Sequence, residues 1–327
     1  MSTPITVLLP VYNGAADLEQ TVRSVLAQTH RDFEFLIIND GSKDRSGEIL
    51  DRLDDPRIKV IHQKNMGLAA TLNRGIELAQ GQYIARQDQD DLSHPVRLAE
   101  QFAYMEAHPD CNLLGTAADI WVENTPTERF HEHPLDHATL SFDLIFNNPF
   151  VHSSVMLRKT TVQAIGGYST DLARQPPEDY ELWSRMARNG RVANLQQRLL
   201  IYREMPQSMS RSGPNPFLDK LVTICAENLA FANHMPTPDN ACIDAAAFTH
   251  SAFHRISGNP DLKKMQALIL AAGQRIASEY GNPDVVARAQ NRADILKYQL
   301  VIRQTKTEWL KPIARKVRAL LQRLSLR

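Results

Sequence analysis

Three carboxylates stand within four residues at Asp88-Gln89-Asp90-Asp91, two residues after the apolar run Tyr83–Ala85. Like charges this close repel one another unless a cation sits among them. Oxygen-only donors at a strand end suit a hard divalent ion, Mg2+ or Mn2+, shared with a substrate phosphate. The plainer use of the same residues is an acidic turn that caps a helix beginning near Pro95. A second acidic pair, Glu178-Asp179, follows Pro177 and opens a helix carrying Leu182, Trp183 and Met186. The helix dipole favours acids at this end, so the pair reads either as a cap or as a general base held in its carboxylate form. Three further polar clusters close apolar runs. Pro10-Val11-Tyr12-Asn13 puts an aromatic ring where it could stack on a planar base. Asn39-Asp40-Gly41-Ser42 offers a carboxylate for a base N–H, or an Asx turn. Asn65-Met66-Gly67 ends a third run in the same way.

Alternating strands and helices must position these clusters. Ile5–Leu9, Phe33–Ile38, Ile58–Ile61 and Tyr83–Ala85 are short apolar runs of strand type. Leu18, Val22, Val25 and Leu26, and then Leu72, Ile76 and Ala79, follow helical spacing. This βαβ alternation predicts an α/β fold with a mostly parallel central sheet flanked by helices. Ligands gather at the carboxyl ends of such strands, which is where the polar clusters lie. Further strands are expected at Asn112–Val122, Ser153–Leu157 and Val192–Tyr202, with a helix over Glu178–Asn189. Between the first two of these strands, His131, His133 and His137 read as a solvated loop in preference to a zinc site. Ser212-Gly213-Pro214-Asn215-Pro216 is the strongest boundary signal. It divides a candidate catalytic domain, 1–213, from a helical region of unassigned role, 214–305, and a basic amphipathic helix, 306–327.

The 327 residues contain 37 Lys+Arg and 37 Asp+Glu, so the formal charge is zero. The balance conceals an asymmetry: residues 1–213 hold 28 acidic and 21 basic side chains, and the remainder is correspondingly basic. No basic surface signals nucleic acid in the first part. Three scattered cysteines argue against a disulfide framework and fit a reducing cytoplasm. No run approaches the length of a membrane span.

Taken in order, the motifs resemble those of the family 2 glycosyltransferases, of the type that builds bacterial cell-surface polysaccharides. The resemblance covers roughly residues 4 to 211. It runs through Pro10-Val11-Tyr12-Asn13, Ser24–Thr29, Asn39-Asp40-Gly41-Ser42, Asn65-Met66-Gly67-Leu68 and Asn73-Arg74-Gly75-Ile76. It continues through Gly81–Arg86, Asp88-Gln89-Asp90-Asp91 with Pro95 and Arg97, Asn148–Ser154, Gly166-Gly167-Tyr168 and Glu178–Trp183. The resemblance implies a GT-A-like fold followed by a C-terminal helical region. It implies that Pro10 and Tyr12 flank a uracil or thymine base, that Asp40 hydrogen-bonds it, and that Asn65 and Gly67 line base and ribose. Asp88 would approach the ribose, Asp90 would bind the metal bridging the diphosphate, and Asp91 would face the metal or stand behind it. Asp179 would be the catalytic base, with Glu178 beside it. The implied reaction is metal-dependent transfer, with inversion, from a UDP- or dTDP-sugar to a saccharide or polyprenyl-diphosphate-linked hydroxyl. O-antigen, capsule or exopolysaccharide synthesis would be its setting. The sequence departs from the family where a histidine often follows the Tyr202-Arg203 segment. Met205 stands there, leaving His152 as a weak substitute.

In 306–327, Lys306, Lys311, Arg315, Lys316, Arg318, Arg323 and Arg327 face a single acid, Glu308. Trp309, Leu310, Ile313, Val317, Leu320, Leu321 and Leu324 recur at spacings of three and four. Such a helix suits an anionic membrane surface and implies a peripheral protein on the inner face of the cytoplasmic membrane. Packing on its own domain is the alternative. Competing functions fit less well. A dinucleotide oxidoreductase needs G-x-G-x-x-G where only Gly14 stands, and a phosphohydrolase needs a Lys–Asp constellation that is not evident. A non-catalytic carbohydrate-binding or assembly module on the same fold is the remaining alternative.

Overall fold

Apolar runs without alternation form the middle of the sheet. In the computed structural model, which describes residues 3–205 and 216–304, β1 (Ile5–Val11) and β2 (Phe33–Asp40) are buried at every residue. Strands covered on both faces must read this way. Between them α1 (Leu18–Leu26) buries Leu18, Thr21, Val22 and Val25, a single helical stripe. Next come α2 (Ser46–Asp51), the half-exposed edge strand β3 (Ile58–Gln63), α3 (Leu68–Leu78) and the buried β4 (Tyr83–Arg86). Gly75 lets α3 approach β1 closely, since a Cβ there would lie 2.3 Å from a Leu8 methyl. Pairing of β1 with β2, β2 with β3, and β1 with β4 is parallel. Their carboxyl ends therefore share one edge. Pro10 does not end β1, because pairing with β4 stops at Leu8 while pairing with β2 runs on to Val11. The proline occupies a stretch with only one neighbouring strand, where a missing N–H is tolerated.

The chain continues as β5 (Leu92–Ser93), α4 (Arg97–Ala107), β6 (Cys111–Val122), β7 (Thr125–His131), α5 (His137–Asp143), β8 (Met156–Arg158), α6 (Lys159–Ala164), α7 (Glu178–Arg188) and β9 (Arg191–Glu204). Across the nine-stranded sheet the order is β3-β2-β1-β4-β8-β6-β9-β5, with β7 on β6. The expected parallel arrangement holds from β3 to β4 and recurs between β6 and β9. The other pairings are antiparallel, so the sheet is mixed. Only two residues join β6 to β7, and so short a link permits nothing else. The strand expected over Ser153–Leu157 is instead a 3-10 turn, His152–Ser154, followed by β8. The histidine-rich segment, expected to be a loop, contains β7 and α5. Polar, exposed β7 shows no hydrophobic period, and pairing with β6 defines it.

The chain forms two compact units, Met1–Asp136 with Pro149–Asn215, and His137–Asn148 with Pro216–Arg327. The sheet belongs to the first. The second packs α5 with α8 (Leu218–Ala232), α9 (Asn240–His250), α10 (Leu262–Tyr280) and α11 (Asp284–Gln304) around Phe142, Leu229, Phe248, Met265 and Ile269. Arg288 grips the Asp143 carboxylate through two 2.6 Å bonds. All three cysteines are buried and free. No described helix is long and apolar enough to cross a membrane. The basic segment 306–327 lies outside the described residues.

Candidate functional site

The loops after β1, β2, β3 and β4 meet at the shared carboxyl edge, held by side-chain bonds to backbone. Asn13, in a left-handed conformation at φ 52°, accepts from the Lys43 N–H through Oδ1, while its own N–H donates to Ser42 Oγ. The β1 and β2 loops are thereby tied together. Asp40 is 4% exposed, and its carboxylate accepts from Gln63 Nε2 at 2.7 Å, the Met66 N–H at 2.8 Å and the Gly67 N–H at 3.0 Å. Asn65 Nδ2 donates back to the Asp40 carbonyl. Asp40 thus shapes the Asn65–Gly67 turn, a task its sequence context did not reveal. Gly41, at φ +73°, is required here because a Cβ would stand 2.7 Å from the Asn65 backbone nitrogen. Pro10 is buried in β1, Tyr12 projects 44% exposed, and Asn65 and Gly67 lie at the surface beside Asp40.

The acidic segment after β4 is built on buried arginines. Arg86 Nη2 donates to Asp88 Oδ1 at 2.5 Å. Burial alone would raise the Asp88 carboxyl, but the Arg86 charge and hydrogen bond, assisted by Arg97, outweigh it and hold the group below its ordinary value. Asp88 is therefore ionised. Asp90 keeps a partly exposed carboxyl, pushed up to about 6 by burial and by Asp88. Asp91 is turned inward at 1% exposure, and burial, Asp88 and Asp90 raise it well above the usual range. Its Oδ1 accepts from the Arg203 N–H at 2.9 Å, which straps β9 to the acidic segment. Sequence reading, which left Asp91 either facing the metal or standing behind it, did not foresee this strap. Arg203 also bonds the Asp90 carbonyl, Gln20 and Asn124 and pairs with Asp17. Arg97, buried and lowered to about 9 by desolvation, braces Gln87, Ser93 and the Arg86 carbonyl.

A hard cation fits this donor set. Buried Asp91 Oδ2 has no hydrogen-bond partner among the described residues, and a positive charge would lower the raised Asp90 carboxyl. The described residues hold no group of three His, Cys, Asp or Glu side chains suited to a metal. Remaining ligands would be donor phosphates and water, the habit of Mg2+-like ions.

Glu178 and Asp179 open α7 behind Pro177. The Tyr180 N–H donates to Asp179 Oδ1 at 2.7 Å. Burial, then Glu178, with Asp88 adding to them, pushes Asp179 up to about 7. Glu178 is raised by burial and Asp88 against the pull of Arg86. Asp88, Glu178 and Asp179 thus share one electrostatic neighbourhood although 90 residues separate the motifs in sequence. Tyr168 and His152 belong to it as well. His152 Nε2 lies 3.2 Å from the Tyr168 hydroxyl, and burial and Arg86 lower the imidazole to about 3, so it stays neutral. Asn73 grips both backbone groups of Tyr168 at 2.8 Å, and Arg185 holds the Ile165 and Gly167 carbonyls. Met205 follows β9 directly. His131 and His133 stack at 6.0 Å in the first unit, whereas His137 opens α5 of the second.

Comparison with known proteins decides the family. The model of "Glycosyl transferase family 2" matches residues 6–166. The amylovoran biosynthesis glycosyltransferase AmsE of Erwinia amylovora is 35% identical over 196 residues, 58% of this chain and 72% of AmsE. The chain belongs to glycosyl transferase family 2. Among solved structures, S. aureus TarS 1-349 with UDP-GlcNAc superposes with a TM-score of 0.60 at 15% identity, covering 90% of each chain. The mannosyltransferase PcManGT of Pyrobaculum calidifontis, with GDP-Man and Mn2+, gives 0.54 at 15%, covering 92% and 86%. These two establish the GT-A fold for this glycosyltransferase. Gln63, Arg86, Gln89 and Arg203 are the site residues to which sequence reasoning gave no role. Arg86 and Gln89 adjoin or lie within the acidic motif, whereas Gln63 and Arg203 lie far from it in sequence and carried no local signal.

Proposed function

We propose that the chain transfers a sugar from a UDP- or dTDP-sugar to a hydroxyl of a saccharide or lipid-linked acceptor, with a divalent metal and with inversion. The observation that carries this reading is the Asp179 carboxyl at about 7 in the same neighbourhood as ionised Asp88. A general base is most effective when poised near working pH. Exposed Tyr12 stacks on the pyrimidine, and the turn shaped by Asp40 supplies Asn65 and Gly67 to base and ribose. Ionised Asp88 accepts from the ribose side. Asp90 would hold the metal, and Asp91 fixes the segment from behind through Arg203. A divalent ion held there would supply positive charge for the departing diphosphate. Asp179 takes the acceptor proton as the new C–O bond forms and the bond to phosphate breaks, and Glu178 holds the acceptor edge. Attack opposite the leaving group turns an α-linked donor into a β-linked product.

Support for the donor comes from TarS, solved with UDP-GlcNAc. Metal use is supported by PcManGT, solved with Mn2+, and Mn2+ or Mg2+ suits the oxygen donors. AmsE, named for amylovoran biosynthesis, supports a place in cell-surface glycan assembly. The basic, apolar-striped 306–327 supports attachment to the anionic inner face of the cytoplasmic membrane. A thermal-shift panel of UDP-, dTDP- and GDP-sugars, with and without Mn2+, tests the donor. A ligand at one hundred times its Kd stabilises by about 2.7 kcal/mol. UDP- or dTDP-sugars should raise the midpoint, and more so with Mn2+. A response to GDP-sugars alone would refute the donor class.

A further inference from the structure

Between Asp88 and Asp90, the Gln89 side chain reaches back to the loop after β1. Gln89 Oε1 accepts from the Tyr12 N–H at 2.9 Å, and its Nε2 donates to the Tyr12 carbonyl at 3.1 Å. Both backbone groups of one residue are thus held by one amide, 77 positions along the chain. The same side chain lies over Gly14, where a Cβ would stand 2.4 Å from Oε1. Any larger residue at position 14 would push the amide off Tyr12. Behind it, Thr21 Oγ1 donates to the Gln89 carbonyl at 2.9 Å and lies 3.0 Å from the Asp91 carbonyl, which anchors the backbone from which the amide reaches. Tyr12 itself lies past the last β1 residue that pairs with β2, so the sheet does not fix its backbone. The Gln89 amide does.

We infer that Gln89 is a positioning residue that couples the Tyr12 loop to the Asp88–Asp91 segment, so that nucleobase and diphosphate are gripped as one unit. The inference rests on the donor assignment proposed above. Asn13, Gly14 and Ala15 are tied to the Ser42–Ser46 segment, so the clasp fixes the remaining link, Tyr12. Without it the Tyr12 backbone is ordered only on binding, and affinity falls by that cost. Groups that act on the acceptor proton stand on α7 and are untouched, so the loss belongs in donor binding.

Gln89→Met keeps length and bulk over Gly14 but removes both hydrogen bonds. Gln89→Glu keeps an acceptor for the Tyr12 N–H and sets a second oxygen against the Tyr12 carbonyl. UDP affinity by calorimetry, without metal and with Mn2+, is measured beside KM and kcat for the best UDP-sugar. For Gln89→Met the expected result is a roughly tenfold weaker UDP Kd and a roughly tenfold higher KM, with kcat within about twofold. Gln89→Glu should show at least the same loss, and the thermal midpoint of each free variant should stay near wild type. Wild-type UDP affinity and KM in Gln89→Met would overturn the inference, because packing over Gly14 would then suffice. A tighter Kd would overturn it too, by showing that the amide competes with the base for Tyr12. Failure of the donor assignment looks different: wild type itself would bind no UDP.

Discussion

Asp179 carries opposite consequences for activity and stability. Its carboxyl, raised to about 7 by burial and Glu178, must lose a proton to act as a base. Activity should therefore climb as pH rises through about 7. In the folded state it holds that proton more tightly than an unfolded aspartate does. Its contribution to stability is fully present below the unfolded value and fades as pH rises from about 4 to about 7. Asp179→Asn removes the buried charge, so it should lower turnover by roughly 10²–10⁴-fold while raising the thermal midpoint at pH 8 by a few degrees. A midpoint that falls in the variant would remove the case for a strained carboxyl. Asp90→Ala should abolish the extra stabilisation that Mn2+ gives with a UDP-sugar while leaving the metal-free nucleotide response, read in the same thermal-shift assay. Equal Mn2+ enhancement in variant and wild type would place the metal elsewhere.

At the scale of elements, the site depends on loops that backbone–side-chain bonds hold rigid. Gly41→Ala tests this directly. The φ of +73° and the 2.7 Å approach to Asn65 N together predict a loss of about 1–3 kcal/mol in chemical denaturation, with weaker UDP binding. Wild-type stability would mean the turn relaxes freely. The sequence made β1, β2 and β4 legible because strands buried on both faces have no choice but continuous apolar composition. It made Asp88–Asp91 and Glu178-Asp179 legible because polar residues at the ends of such strands and helices stand out. β7 was hidden, since Thr125–His131 is mostly exposed and defined by its pairing with β6, without a hydrophobic period. The strap from Asp91 to Arg203 was hidden for a different reason: 112 positions separate the partners, and no local pattern encodes such a bond. The same holds for Asp40, whose partners Gln63, Met66 and Gly67 lie 23 to 27 positions away.

Over the whole chain, the zero net charge sums an acidic sheet-bearing part and a basic helical part. Removing 306–327 should abolish co-sedimentation with anionic vesicles at low salt while leaving hydrolysis of a soluble UDP-sugar within about twofold, as expected if the basic stripe serves only the surface. Vesicle binding that survives the truncation would assign attachment to another surface. The proposed activity is activation of a nucleotide-sugar at the carboxyl edge of the sheet by a metal and a single base. Its most direct test is UDP release from a panel of UDP-sugars with Mn2+, with excess chelator, and in Asp179→Asn. Release is expected from at least one UDP-sugar with Mn2+ and none with chelator, with a fall of at least about 10²-fold in the variant. Release that ignores both chelator and substitution would contradict it.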